Sequence, residues 1–278
     1  MEPLISIVMP VFHTEAYLRE SLQGVLQQDY PRWELLVILD GGPEAANSSL
    51  WQSTYTDPRI RWFVSRRNRG LTRSRNLAIR CAKGSWIAFC DSDDAWRPNK
   101  LTVQWNEAQR GGYNVLGSGF AFVRQHSLLV SAESDAERLK RAILPSILDY
   151  PTLLVTNALP MSSAIYNVEF LGKYYFRTAA SAELIHEDYA YWLNLFRNPA
   201  VRSKLVHQPL LCIRIRPQSR SSNKVKAMRA HSAILLEHMG PSLWNRFRVW
   251  GYLSLYVYWA IRKRSGAWQA SQDFDWNR

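Results

Sequence analysis

Cysteine is scarce, with only Cys81, Cys90 and Cys212 in 278 residues. Three widely spaced thiols form neither a zinc-ligand pattern nor a disulfide framework, and they suit a reducing compartment. A long apolar run is also missing. The most apolar late stretch, Val249 to Ile261, is broken by Tyr252, Ser254, Tyr256 and Tyr258. It falls short of the roughly 20 residues needed for a membrane-crossing helix. No basic leader precedes the strand-like segment that starts the chain, so no secretion signal is expected. The expected location is the cytoplasm, at most peripheral at the inner face of the cytoplasmic membrane. There is no internal repeat and no low-complexity tract.

Acid is what the second half lacks. Residues 1–139 carry 16 basic and 15 acidic side chains, whereas residues 140–278 carry 19 and 8. Nearly all of the net charge of +12 therefore sits in the second half. Such asymmetry points to an anionic partner: nucleic acid, phospholipid or a phosphorylated substrate. The hydrophobic share of 47% and charged share of 21% are those of a globular protein. A chain of this length buries a large core without disulfides or structural metal.

The first hundred residues alternate strand and helix signals. Strands are expected over 4–11, 33–39, 59–65 and 86–90, with helices over 14–28 and 71–82. That alternation implies parallel pairing with right-handed crossovers. Ligands of such open sheets bind beyond the carboxyl ends of the strands, where Asp40-Gly41-Gly42 and Asp91-Ser92-Asp93-Asp94 both fall. Further on, a strand is expected over 115–123, a helix over 131–148, a return to the sheet over 156–166, and an aromatic helix over 183–196. From Arg214 to Arg264 there are 11 basic residues and one acid, Glu237, interleaved with Trp and Tyr.

Four groups carry chemistry. Asp91 and Asp93, one residue apart at a strand end, can share Mg²⁺ or Mn²⁺ with a phosphorylated ligand; the plainer reading is a helix cap. Asp40, followed by two glycines, can accept hydrogen bonds from a base or ribose, or simply form a turn. Six arginines and no acid lie between Arg66 and Arg80. Of these Arg73 and Arg75, with Asn76, lie near a helix start that could hold a diphosphate. Arg66 and Arg80 read as a solvated basic face. Glu187-Asp188 offers one carboxylate to deprotonate a hydroxyl and one to orient it, although a first helical turn favours acids anyway.

In order, the segments Leu4 to His13, Asp40 to Gly42, Asn68-Arg-Gly-Leu-Thr-Arg-Ser-Arg-Asn76, Gly84 to Asp94 and Glu187-Asp188 resemble a family 2 glycosyltransferase. The resemblance covers about residues 4–222. It implies the GT-A fold, an α/β architecture with a mainly parallel Rossmann-like central sheet flanked by helices. The expected division is a catalytic domain over 1–222, with a nucleotide-binding half (1–112) and an acceptor-binding half (113–222). A helical basic and aromatic extension over 223–278 would follow.

The resemblance also implies roles. Pro10, Val11 and Glu15 would line the nucleotide site, and Asp40 would contact the base. Arg73, Arg75 and Asn76 would lie beside the nucleotide. Asp91, with Ser92, would face ribose and sugar, Asp93 would be the direct metal ligand, and Asp188 the general base with Glu187 beside it. Arg214 and Arg216 belong to a segment resembling a flexible loop over the diphosphate. Two departures stand out. Phe12-His13 replaces the Tyr-Asn of many relatives, and Arg216 stands where a metal-binding His is frequent.

The implied activity is inverting, metal-dependent transfer from a nucleoside-diphosphate sugar to a saccharide or lipid-linked hydroxyl. UDP is the expected nucleotide, and surface polysaccharide or lipopolysaccharide synthesis the expected setting. The extension would meet an anionic membrane surface, pack on the catalytic domain, or join two copies as a homodimer. A nucleotidyltransferase and a basic nucleic-acid-binding protein are the alternatives. The first would need a triphosphate; the second leaves the acidic turn and Glu187-Asp188 unexplained, so no nucleic acid is expected.

Overall fold

The computed structural model describes residues 2–123, 146–155, 157–178, 186–214, 224–240, 242, 244, 249, 251 and 252. The chain opens with β1 (Ile5–Val11), α1 (Glu15–Leu26) and β2 (Trp33–Asp40). Two short helices, α2 (Gly42–Ala46) and α3 (Ser48–Thr54), lead to β3 (Ile60–Ser65), α4 (Leu71–Cys81) and β4 (Trp86–Phe89). Then come β5 (Ala95–Trp96), α5 (Lys100–Gly111), β6 (Val115–Val123) and α6 (Tyr150–Val155). After a 3-10 turn at Met161–Ser163 the order is β7 (Ile165–Asn167), α7 (Val168–Leu171), α8 (Glu187–Phe196), β8 (Ser203–Arg214) and α9 (Lys224–Met239).

The strands of the described residues form one sheet in the order β3-β2-β1-β4-β7-β6-β8-β5. Its first four are mutually parallel, with Ile5 level with both Trp33 and Trp86. β1 and β2 are buried along their whole length, as expected of central parallel strands covered on both faces by helices. That is why they read as continuous apolar runs rather than alternating ones. Beyond β4 the sheet becomes mixed. β7 runs antiparallel to β4 and β6, β6 and β8 are parallel, and β5 is antiparallel to β8. The architecture is the expected α/β one, a mainly parallel sheet flanked by helices.

Several elements depart from the sequence expectation. The turn after Asp40 continues into α2 and α3. The helix α5 and the 12-residue strand β8 were not anticipated. Pro209 and the exposed pair His207-Gln208 interrupt the apolar pattern of β8, and its pairing with β6 shifts register there. Most of the helix expected over 131–148 lies outside the described residues; 146–148 are not helical, and α6 begins at Tyr150. The return to the sheet is three residues, Ile165–Asn167.

The described part of the C-terminal segment packs on the body of the protein. Helix α9 buries His231, Ile234 and Leu235, and Val249 joins the same core. Tyr150 Oη meets His238 Nδ1 at 3.2 Å, Arg197 donates to the His238 carbonyl, and Arg177 pairs with Glu237. Trp244 remains 72% exposed. Among the described residues no helix is long and apolar enough to cross a membrane. The three cysteines are free thiols.

Candidate active site

The carboxyl ends of β1, β2 and β4 converge, and the turns leaving them are tied together by buried hydrogen bonds. At the end of β1, Pro10 and Val11 are buried, after which Phe12 and His13 emerge as an edge-to-face pair with centroids 4.2 Å apart. His13 sits in the left-handed region (φ 52°), a costly conformation for a non-glycine residue that persists only where neighbours enforce it. Two contacts supply the enforcement at Thr14. Its amide donates to Glu44 Oε1 at 2.5 Å, and its hydroxyl meets that of Ser92 at 2.8 Å. Glu44 is wholly buried. Sequence reasoning passed over it, because an acid in a short polar turn reads as solvated. Glu15 is exposed and accepts from Asn47 Nδ2.

Asp40, at the end of β2, is buried and uses both carboxylate oxygens on the chain before α4. The amide of Arg69 donates to Oδ1 at 2.8 Å and that of Gly70 to Oδ2 at 2.9 Å. Gly41 (φ 78°) lets the two turns touch: a Cβ there would lie 2.8 Å from the Asn68 backbone nitrogen. Only glycine tolerates both that conformation and that approach. Asp40 thus fastens the Asn68–Gly70 turn, and the second lone pair of each oxygen remains for a ligand.

The acidic turn after β4 is gripped from two sides. Arg75, with only 3% of its side chain exposed, binds Asp91 at 2.6 Å and Glu187 at 3.4 Å. Its guanidinium lies 5.2 Å from the Phe176 ring centre. Burial alone would disfavour its charge; Asp91, Glu187 and Asp188 outweigh that and raise its pKa further. On the other side Arg214, also buried, pairs with Glu20 and donates from Nε to the Asp93 carbonyl at 3.2 Å. Its own amide donates to Asp94 Oδ1 at 3.3 Å, and its guanidinium lies over Tyr17. Arg214 therefore closes β8 as a fixed residue. Arg216 lies outside the described residues.

Asn76 is anchored at both ends of its amide, donating to the Phe176 carbonyl at 2.8 Å and accepting from its amide at 2.7 Å. Arg73 is exposed on the same helix. The Arg75-Asn76 pair thus joins α4 to the acidic turn, to the start of α8 and to the Phe176 segment.

Asp91 keeps a third of its side chain exposed, Asp93 is partly exposed, and Ser92 is buried beneath them. Ser162 supports the turn, accepting from the Asp91 amide at 3.0 Å. Burial, followed by the charges of Asp93 and Asp91, pushes the Asp94 carboxyl well above the usual carboxylate range. Concentrated negative charge with two solvent-facing carboxylates is a donor set that suits Mg²⁺ or Mn²⁺, which complete their shells with water and phosphate oxygens. Among the described residues no three His, Cys, Asp or Glu side chains form a metal cage.

Glu187 and Asp188 open α8. His186, just before them, adopts a left-handed conformation (φ 73°). Asp188 accepts from Asn157 Nδ2 at 3.0 Å and from the Tyr189 amide at 2.8 Å. Asn157 was not foreseen; nothing in its local sequence distinguishes it. Tyr189 Oη donates to the Leu153 carbonyl, and its ring stacks on His231 of α9 at 4.5 Å. Of the expected site residues, Asp91, Arg75 and Glu187 are thus linked directly, and Asp188 follows Glu187 in the chain with its carboxylate on Asn157 and the Tyr189 amide. Asp40, Ser92 and Arg214 join through turns, while Glu15 and Arg73 stand at the margin.

Comparisons with known proteins agree with this arrangement. The family described as "Glycosyl transferase family 2" matches residues 6–153, and the chain belongs to that family: it is a glycosyltransferase. It is 26% identical over 265 residues to the UDP-Glc:alpha-D-GlcNAc-diphosphoundecaprenol beta-1,3-glucosyltransferase WfgD of Escherichia coli, covering 94% of this chain and 95% of that one. It is also 26% identical over 227 residues to the putative teichuronic acid biosynthesis glycosyltransferase TuaG of Bacillus subtilis, covering 81% and 84%. Among solved structures, S. aureus TarS 1-349 in complex with UDP-GlcNAc superposes with a TM-score of 0.65 at 17% identity, covering 95% of this chain and 74% of that one. The mannosyltransferase PcManGT of Pyrobaculum calidifontis, in complex with GDP-Man and Mn²⁺, gives 0.63 at 15% identity, covering 96% and 74%. These likenesses show the shared GT-A fold.

Proposed function

We propose that the chain transfers a sugar from a nucleoside-diphosphate sugar to a hydroxyl of a saccharide or lipid-linked acceptor, with inversion, in bacterial surface polysaccharide synthesis. The observation that carries the reading is the buried Arg75 bridge between Asp91 and Glu187. One guanidinium sets the distance between the turn that would hold the donor and the helix start that would hold the base. The activities for which WfgD and TuaG are named and the ligands of TarS and PcManGT support the substrate class.

In this reading the base and ribose lie over Pro10, Val11 and the Asp40 turn, and the sugar lies over Asp91. Asp93, with Asp91, would hold Mg²⁺ or Mn²⁺, which when bound supplies charge neutralisation for the diphosphate. The acceptor hydroxyl is a weak nucleophile and must lose its proton as it attacks the anomeric carbon. Asp188 accepts that proton on a carboxylate held by Asn157 and the Tyr189 amide, a contribution of roughly 10²–10⁴ in rate. The C–O bond to the diphosphate breaks on the opposite side, so the anomeric centre inverts. The catalytic unit is residues 1–222; 223–278 extends it and would bring it to an anionic membrane surface carrying a lipid-linked acceptor.

The test is release of nucleoside diphosphate from UDP-Glc, UDP-GlcNAc and GDP-Man, each with Mn²⁺ and a lipid-linked saccharide acceptor. Transfer from one donor that is lost in Asp188→Asn, with donor binding retained, supports the reading. Full turnover in Asp188→Asn removes it as the base.

A further inference from the structure

Helix α9 lies past residue 222, where the proposed catalytic unit ends, yet it touches α8 at both ends and α6 at its start. His231 and His238 are seven residues apart, about two helical turns, and so share one face of α9. His231 is buried at the start of α8. Its ring lies flat on that of Tyr189, with centroids 4.5 Å apart and 12° between the planes, and stands edge-on to that of His186 at 6.1 Å. His238 serves the other end. Its Nδ1 meets Tyr150 Oη, at the start of α6, at 3.2 Å, and its carbonyl accepts from Arg197, the residue that follows α8. Ile234 and Leu235, between the two histidines, are buried.

The His231 contacts surround the corner on which Asp188 stands. His186 adopts φ 73°, a conformation that is costly for a residue with a Cβ and persists only where its surroundings hold it. From that corner α8 departs, with the Ala190 amide donating to the His186 carbonyl at 3.2 Å. Tyr189 is wholly buried and tied three ways: its amide to Asp188 Oδ1, its hydroxyl to the Leu153 carbonyl of α6, and its ring to His231. The amide and the hydroxyl bind within the catalytic unit. The ring contact comes from outside it. Tyr189 follows Asp188 directly, so a shift of its ring moves the first turn of α8 and the carboxylate with it.

We propose that His231 is a positioning residue for Asp188: by carrying the Tyr189 ring it holds the corner at His186 and the first turn of α8, so that a helix beyond the catalytic unit sets the rate of transfer. The proposal rests on the reading of Asp188 as the base. The stack requires a planar ring at position 231, and a misplacement of about 1 Å at a reacting group costs roughly 10² in rate.

The experiment measures kcat and the donor KM of the full chain with Mn²⁺, a lipid-linked saccharide acceptor and each of UDP-Glc, UDP-GlcNAc and GDP-Man. Amide hydrogen exchange is followed beside it, in wild type, His231→Leu and His231→Phe. Leucine fills the space without a planar ring. His231→Leu should lower kcat by roughly tenfold to 10²-fold with the donor KM unchanged. It should also speed exchange over residues 186–190 by about tenfold or more, while β1 and β2 exchange as in wild type. His231→Phe keeps the ring and should hold both readouts within about twofold of wild type. Should His231→Leu fail to fold, His231→Gln carries the same expectation with a smaller loss. Wild-type kcat in a folded ringless variant overturns the proposal. So does a loss of kcat that His231→Phe shares, or an equal acceleration of exchange in β1 and β2, which would make His231 a stabiliser of the whole fold. Absence of transfer from all three donors in the wild type strikes the functional reading. Exchange over 186–190 then still decides whether His231 holds the corner: faster in His231→Leu supports it, unchanged overturns it.

Discussion

Arg75 and Arg214 are both buried, both paired with carboxylates, and both bear on the Asp91–Asp94 turn, yet they connect it to different things. Arg75 reaches across to α8 through Glu187, so it couples the proposed donor turn to the helix start that carries Asp188, the residue proposed as base. Arg214 reaches down to Glu20 on α1 and to the backbone of Asp93, so it fixes the turn to the scaffold. A buried ion pair adds little net stability, but removing one partner strands the other charge at a cost of several kcal/mol. The lesson is that equal burial does not mean equal role: one arginine spans two parts of the proposed site, the other holds one of them to the scaffold.

That contrast can be broken experimentally. The largest effect is expected at the base itself. Asp188→Asn should lower turnover by roughly 10²–10⁴ while leaving nucleotide affinity intact, measured by kcat beside a binding isotherm. Next is Arg75→Met, which removes the guanidinium between Glu187 and Asp91. It should cost about 3–5 kcal/mol of stability in denaturant titration and lower kcat as well. Arg214→Met should cost a similar amount by removing the cation paired with buried Glu20 but lower kcat less. Equal losses of kcat in the two variants would abolish the distinction.

A third expectation concerns α9. His231 is pushed down to about 4, first by burial and then by His186, and His238 to about 4, by burial and then by Arg197 and Arg177. Both are neutral in the folded protein, whereas the unfolded chain protonates them near 6.5. The unfolded state therefore binds more protons between pH 6.5 and 4, and stability falls across that window as the pH drops. His231 alone would account for up to about 3 kcal/mol. Thermal melts of His231→Phe should show a flatter loss over that range than wild type. The smallest effect is Asn157→Ala, which removes one hydrogen bond to Asp188 and should reduce kcat roughly tenfold or less.

The parallel half of the fold was legible because its strands are buried on both faces and bounded by polar turns. β1, β2, β3, α4 and β4 lie within a few residues of where periodicity puts them. The mixed half was less so. β7 is only three residues long, and β8 carries Pro209 and exposed His207-Gln208 within one strand, so neither shows a clean period. Among the candidate site residues, Asp40, Asp91 and Asp93 were visible from their place at strand ends, and Glu187-Asp188 from its place at a helix start. Their holders were not. Asn157, Ser162, Glu20 and Glu44 act through contacts 30 to 194 residues apart in the chain, a separation that no local pattern records. By its place near the start of α4 Arg75 reads as a partner of phosphate, and tertiary packing gives it two carboxylates, Asp91 and Glu187.

The most direct measurement is calorimetric titration of UDP, GDP, CDP and dTDP, each with and without Mn²⁺, on wild type and Asp93→Asn. The account predicts that one nucleoside diphosphate binds, that binding needs the metal, and that Asp93→Asn loses it. Metal-independent binding, or undiminished binding by Asp93→Asn, would contradict the assignment of the acidic turn.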